Sequence, residues 1–270
     1  MKKSFLYLLI FLLLTSLTGD WHLIKKIPFT EVAAFTTDKL GNAYVVSENM
    51  LLQFDNNGLP VNHYSEKNLG RLSSVDAVNP FKLLCFYPDY AQINILTSKL
   101  VLQSTIQLRG MGIEQPALIC NSAVDYGIWI YDRQDFQLKK IDLNLQIFRE
   151  SGNIPQSTGR EFNPVAMLEA NDYVLLSDPA IGILFFDLFG TYYKTLPIKN
   201  VYSMQTKDND LYYVSNGELR IYNFKTLADK KIELPVSDSI TASRFEQNRL
   251  MLLSGNELKF YSIPMLIENK

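Results

Sequence analysis

A short apolar segment recurs six times along this chain, and the interval between its copies limits what the chain can fold into. The copies are Asn42-Ala-Tyr-Val-Val-Ser47, Phe81-Lys-Leu-Leu-Cys-Phe86, Gly127-Ile-Trp-Ile-Tyr131, Asp172-Tyr-Val-Leu-Leu-Ser177, Asp210-Leu-Tyr-Tyr-Val214 and Asn248-Arg-Leu-Met-Leu-Leu253. Their starts lie 39, 46, 45, 38 and 38 residues apart. Each is too short for a helix, rich in β-branched and aromatic residues, and bounded by turn formers, which reads as a strand. A spacing of this size with several strands per unit is the period of propeller blades.

A second strand follows each copy. Leu51-Leu-Gln-Phe-Asp55-Asn-Asn-Gly58 matches Ile183-Leu-Phe-Phe-Asp187-Leu-Phe-Gly190, and Leu138 to Asp142, Leu219 to Asn223 and Leu258 to Ser262 take the same place in their units. Alternation along these strands assigns apolar side chains inward and polar ones outward. An Asp, Asn or Ser then opens a turn by accepting from backbone amides, and Gly58 and Gly190 supply the positive φ that the turn needs. Blade two is less regular at Ala91 to Leu96.

The two ends complete one another. The last unit has a first strand (Ile240 to Arg244), a second and a third, and little beyond Pro264, while residues 21–28 form a strand without a unit. Lys26-Ile-Pro28-Phe-Thr-Glu-Val32 parallels Thr195-Leu-Pro197-Ile-Lys-Asn-Val201, which joins one unit to the next. The expected fold is therefore all-β: a six-bladed β-propeller of four-stranded antiparallel blades, closed when the N-terminal strand completes the C-terminal blade. Closure removes the open edges of the array. Asp38-Lys-Leu-Gly41-Asn42-Ala-Tyr44-Val45, followed by Phe54-Asp55-Asn-Asn-Gly58, resembles the pattern of NHL-type and gluconolactonase-like six-bladed propellers. Blade one keeps that pattern whole, and Asp187, Gly190, Asp210, Tyr212 and Val214 keep parts of it.

The first 19 residues read as a secretory signal. Lys2 and Lys3 precede an apolar run from Phe5 to Leu14, and small or polar residues follow up to a cleavage point near Gly19–Asp20. That run is too short to cross a bilayer, which takes roughly 20 residues. Residues 20–270 contain no second long apolar stretch, so a single exported domain without a transmembrane segment is expected, periplasmic or extracellular. A formal net charge of -2 argues against a nucleic-acid partner. Cys85 and Cys120 could pair in an oxidising compartment, but both sit within apolar strand patterns, where a free Cys acts as a small hydrophobe.

No catalytic motif stands out. His22 belongs to the closing strand and His63 to an outermost strand, away from the channel, which disfavours a Ser-His-Asp triad or a zinc site. Innermost strands begin near Glu31, Arg71, Glu114, Asn163, Asn200 and Asp238. The resemblance to calcium-dependent lactonase propellers implies that Glu31, Asn163, Asn200 and Asp238 could hold Ca²⁺ through oxygen ligands, the site of a lactonase- or esterase-like hydrolase. The reading preferred on the sequence is a non-enzymatic module without cofactor that binds another protein. Its expected contact surface is the long connection from Glu150 to Pro164, where Arg160 and Glu161 place a charged pair beside Phe162.

Overall fold

Five of the blades turn from their third strand to their fourth, and each does so with a side chain as the acceptor. Asp55 accepts from the amides of Asn57 and Leu59 (2.9 and 2.8 Å), Asp142 from Asn144 and Gln146 (2.9 Å each), and Asp187 from Phe189 and Thr191 (2.9 and 2.8 Å). Asn223 does the same for Lys225 and Thr226, and the Thr97 hydroxyl for Lys99 and Val101. The turn also needs one residue in the left-handed region. Gly58 (φ 77°) and Gly190 (φ 88°) supply it in two blades, and Leu100, Leu145 and Leu227 (φ 58°, 60° and 59°) in the others.

These turns organise 24 strands in the computed structural model, which describes residues 21–234 and 238–263. The expected signal segment lies outside the described residues. Blade 1 comprises β2 (Ala34–Thr37), β3 (Ala43–Ser47), β4 (Met50–Phe54) and β5 (Pro60–Ser65). Blade 2 is β6 (Ser74–Asp76), β7 (Leu83–Tyr87), β8 (Gln92–Leu96) and β9 (Leu102–Gln107). In blade 3 the strands are β10 (Pro116–Asn121), β11 (Ile128–Asp132), β12 (Gln137–Ile141) and β13 (Ile147–Glu150). Blade 4 has β14 (Ala166–Ala170), β15 (Tyr173–Asp178), β16 (Gly182–Asp187) and β17 (Tyr192–Leu196). Blade 5 has β18 (Val201–Lys207), β19 (Asp210–Ser215), β20 (Glu218–Asn223) and β21 (Asp229–Lys231). Blade 6 combines β22 (Ala242–Glu246), β23 (Arg249–Ser254) and β24 (Glu257–Ser262) with β1 (His22–Pro28) from the other end of the chain. In register, His22 opposes Ser262 and Pro28 opposes Glu257. The six-bladed ring and its closure are those expected from the repeat. The innermost strand of blade 6 begins at Ala242, two residues later than its apolar pattern indicates.

The core is six clusters, each between two neighbouring blades, with the pleat sending alternate residues to opposite sides. In β7, Leu83, Cys85 and Tyr87 pack towards blade 1, and Leu84 and Phe86 towards blade 3. In β11, Ile128 and Ile130 face blade 2, while Trp129 and Tyr131 face blade 4. Cys85 and Cys120 are free because they belong to different interfaces, between blades 1 and 2 and between blades 3 and 4. Burial pushes both thiols above their ordinary range.

Covering both faces overturns one expectation. Their charge assigns the lysines of β12 to solvent, yet Lys139 and Lys140 are 3% and 2% exposed, one on each face of the sheet. Lys139 pairs with Asp132 at 3.0 Å and with Asp135. Lys140 donates to Ser122 and Asp125 at 2.9 Å, lies 3.5 Å from Glu169, and sits 5.1 Å from the centre of the Trp129 ring. Glu169, on β14, also accepts from the Trp129 indole, the Ser122 hydroxyl and the amides of Ala123 and Val124. A buried charge is tolerated when it is paired and hydrogen-bonded, and this network ties blade 3 to blade 4.

The left-handed leucine gives a test. Leu145 is 39% exposed and contributes little packing, whereas a non-glycine in that region carries a penalty of roughly 1–2 kcal/mol. Leu145→Gly is expected to raise unfolding stability in chemical denaturation by roughly 0.5–1 kcal/mol after the entropy cost of glycine. Gly190→Ala should lower it, since a Cβ there would stand 3.1 Å from the Ser151 amide.

Candidate functional site

The innermost strands run parallel around a central channel, so their starts share one face of the ring and their ends share the other. The channel is a cavity of about 800 Å³ lined by all six blades, within the size range of small-molecule sites. Its wall is not uniform. Blades 3 and 4 contribute Leu118, Ile119, Val165, Ala166, Met167 and Leu168, with Glu169 and Asn171 where β14 ends. The charged and polar Ser203, Gln205, Arg244, Glu246, Thr36 and Thr37 come from blades 5, 6 and 1, together with apolar residues such as Phe35 and Met204.

Period-two spacing on β22 turns Ala242, Arg244 and Glu246 to the channel, while Phe245 enters the cluster with blade 5. Arg244 donates through Nη1 to Ser203 Oγ and the Ser243 carbonyl, both at 2.8 Å, and through Nη2 to the Phe35 carbonyl at 3.4 Å. Its guanidinium stands 5.8 Å from the Phe35 ring centre. Burial pulls its pKa down to about 10, opposed by Glu246 and Asp76. Glu246 accepts from Gln205 Nε2 at 2.7 Å and from the Thr37 hydroxyl at 3.5 Å. Burial pushes its carboxyl up to about 7. Lys207, Arg244 and the Gln205 hydrogen bond oppose the shift, and Asp38 adds to it. Asp76, across the channel on β6, is held by the Asn121 amide, the Asn121 side chain and the Val78 amide, each at 3.0 Å. No motif in the sequence marks this cluster. Its signal is charge at every second position of an innermost strand, where apolar or small residues would otherwise line the axis.

The six entry positions precede the innermost strands and therefore share the other face. Glu31, Asn163, Asn200 and Asp238 are all exposed there. Asp238 is ion-paired with Lys259 at 2.9 Å, the Asn200 side-chain amide donates to Asn216 Oδ1 at 2.8 Å, and the Asn163 side-chain oxygen faces Arg133 at 3.5 Å. Among the described residues, no group of three or more His, Cys, Asp or Glu is arranged to hold a metal ion. The long connection on this face carries a short helix, α1 (Ile154–Thr158), capped by the Asn153 side chain on the Gln156 amide. Arg160 and Glu161 are exposed, but Phe162 is 5% exposed and meets Tyr131 edge-on with ring centres 5.6 Å apart. With Ile154 it pins the connection into the cluster between blades 3 and 4.

The opposite face, where innermost strands end, has a different character. Among the described residues, twenty large apolar side chains are well exposed, and eleven of them lie in the turns of this face. Four lie at or beside the entry face and five on outermost strands. Phe81 and Tyr126, 71% and 67% exposed, lie in neighbouring turns of blades 2 and 3, and the Lys82 ammonium joins those turns by donating to the Tyr126 carbonyl at 2.6 Å.

Two outcomes follow for the purified domain. Raising the pKa of Glu246 means that its contribution to stability falls as pH rises from the ordinary carboxyl range through about 7. Glu246→Gln should therefore gain on the wild type by roughly 1–3 kcal/mol between pH 5 and pH 8, read by denaturant unfolding at both values. Because Asp238 is held by an ammonium, calcium and EDTA should leave the melting temperature unchanged. A shift that calcium restores would instead place a cation at Glu31, Asn163, Asn200 and Asp238.

No protein-family model matches the sequence, and no curated protein does. Solved structures share its shape. Virginiamycin B lyase from Staphylococcus aureus is 10% identical, with a TM-score of 0.61 over 90% of this chain and 100% of that one. A catalytically inactive variant of that lyase with quinupristin is 11% identical, with the same TM-score and coverage. The WD40 domain of Pan2 from Neurospora crassa is 8% identical, with a TM-score of 0.61 over 92% and 96% of the two chains. These likenesses establish the six-bladed propeller fold that the repeat implies.

Proposed function

We propose that the chain is an exported, non-enzymatic propeller that binds another protein through the face on which its innermost strands end. The observation that carries this reading is the apolar character of that face. Asp55, Asp142 and Asp187 close its turns with their own carboxylates, so the intervening side chains are not needed for folding. Leu143 and Phe189 occupy two of those positions at 71% and 66% exposure. Turns ordinarily carry polar residues, and an apolar surface rimmed by polar groups marks an interaction site. Arg160 and Glu161 on the entry face give a second, polar surface.

A lyase is among the structural neighbours, but both histidines of this chain stand on outermost strands, His22 on β1 and His63 on β5. Neither reaches the channel to act as its general base. Export rests on the N-terminal pattern of Lys2, Lys3 and the apolar run to Leu14.

The test is site-resolved. A photo-crosslinking residue at position 81 or 126 should yield one discrete adduct band in the native host, and the same residue at position 160 should not. Phe81→Ser combined with Tyr126→Ser should abolish the adduct formed from position 124 while changing stability by less than about 1 kcal/mol, as exposed substitutions do. Adducts only from position 160 would move the interface to the other face, and none from any position would sink the reading.

A further inference from the structure

We propose that the central channel is also a binding site for a small amphipathic carboxylate, whose anionic end is held by Arg244 and whose apolar part lies against blades 3 and 4. This stands apart from the apolar face and concerns a different ligand class. Arg244 spends both Nη1 protons on Ser203 Oγ and the Ser243 carbonyl, and gives Nη2 only a long bond to the Phe35 carbonyl. Among the described residues, Nε has no acceptor and no carboxylate pairs with the side chain. Nε–H and the adjacent Nη2–H form the side-on fork that matches the two oxygens of a carboxylate. Arg244 lines a cavity of about 800 Å³.

The neighbouring acids do not fill the role. Asp76 is taken up by Asn121 and Val78, and Glu246 by Gln205 and Thr37. An unpaired, half-buried cation is costly, and a ligand carboxylate would relieve that cost. Leu118, Met167 and Leu168 line the part of the cavity formed by blades 3 and 4, and a ligand whose anionic end meets Arg244 would lay its apolar part there.

Glu246 adds a pH dependence. The groups facing it are Thr37 and Asp38 from blade 1, Gln205 and Lys207 from blade 5, and Arg244 on its own strand. With its carboxyl pushed up to about 7, it is ionised at pH 8 and repels an incoming anion. At pH 6 it is largely protonated and does not, so affinity rises as pH falls.

The experiment is calorimetric titration of the domain 20–270 with decanoate at pH 6 and pH 8, with decanol as the uncharged control. The expected result is one saturable site for decanoate, tighter at pH 6, with decanol at least about tenfold weaker. Arg244→Gln should weaken decanoate by at least about tenfold, and Arg244→Lys, which keeps the charge without the fork, should fall between. Glu246→Gln should bind decanoate equally at the two pH values. A single cooperative melting transition establishes that each variant is folded. Equal binding of decanol and decanoate, undiminished binding by folded Arg244→Gln, or no saturable binding at pH 6 would overturn the proposal.

Discussion

Every interface in this ring depends on the pairing of β1 with β24. Each blade is buried on both sides by its neighbours, so the six clusters form a cycle in which none is terminal. Without β1, β24 would present an unpaired edge and the cluster between blades 6 and 1 would lose Ile24 and Ile27. Unpaired edges recruit other strands. The closing strand joins residues more than two hundred positions apart and is itself mostly exposed. Its value lies in satisfying the backbone of its neighbour more than in burying its own side chains.

The ring was legible because its cause is local. A repeated strand is visible in every unit, and an acceptor followed three positions later by glycine is visible in the units of Gly58 and Gly190, whereas the left-handed Leu100, Leu145 and Leu227 carry no such mark. The observed second strands agree with the repeat to within two residues. What the sequence concealed is what neighbouring blades decide. Lys139 and Lys140 look like solvent-facing residues because alternation cannot show that a second sheet lies over them. Phe162 reads as a surface aromatic, since nothing local reveals Tyr131 beneath it. The channel cluster escaped for a similar reason. Arg244 and Glu246 come from blade 6 and their partners Ser203 and Gln205 from blade 5, and no motif in one strand announces their meeting.

Charge inside the molecule falls into two kinds. Lys139, Lys140, Glu169 and Asp132 are saturated by partners and hold blades 3 and 4 in place. Arg244 and Glu246 are hydrogen-bonded to neutral groups, and burial shifts their pKa values down and up. Charge-paired groups build the scaffold, while ionisable groups with shifted pKa values mark a candidate site. The paired set lies between sheets, and the other lies along the channel.

The register of the closing blade has a further implication. His22 opposes Ser262, so the described chain enters and leaves the ring side by side, on the face that carries Phe81 and Tyr126. Both points belong to blade 6, which faces blade 3 across the ring and carries none of the eleven exposed apolar turn residues. A tether holding Trp21 or Ile263 would therefore turn this face towards its anchor while leaving the apolar turns of blades 1 to 5 clear.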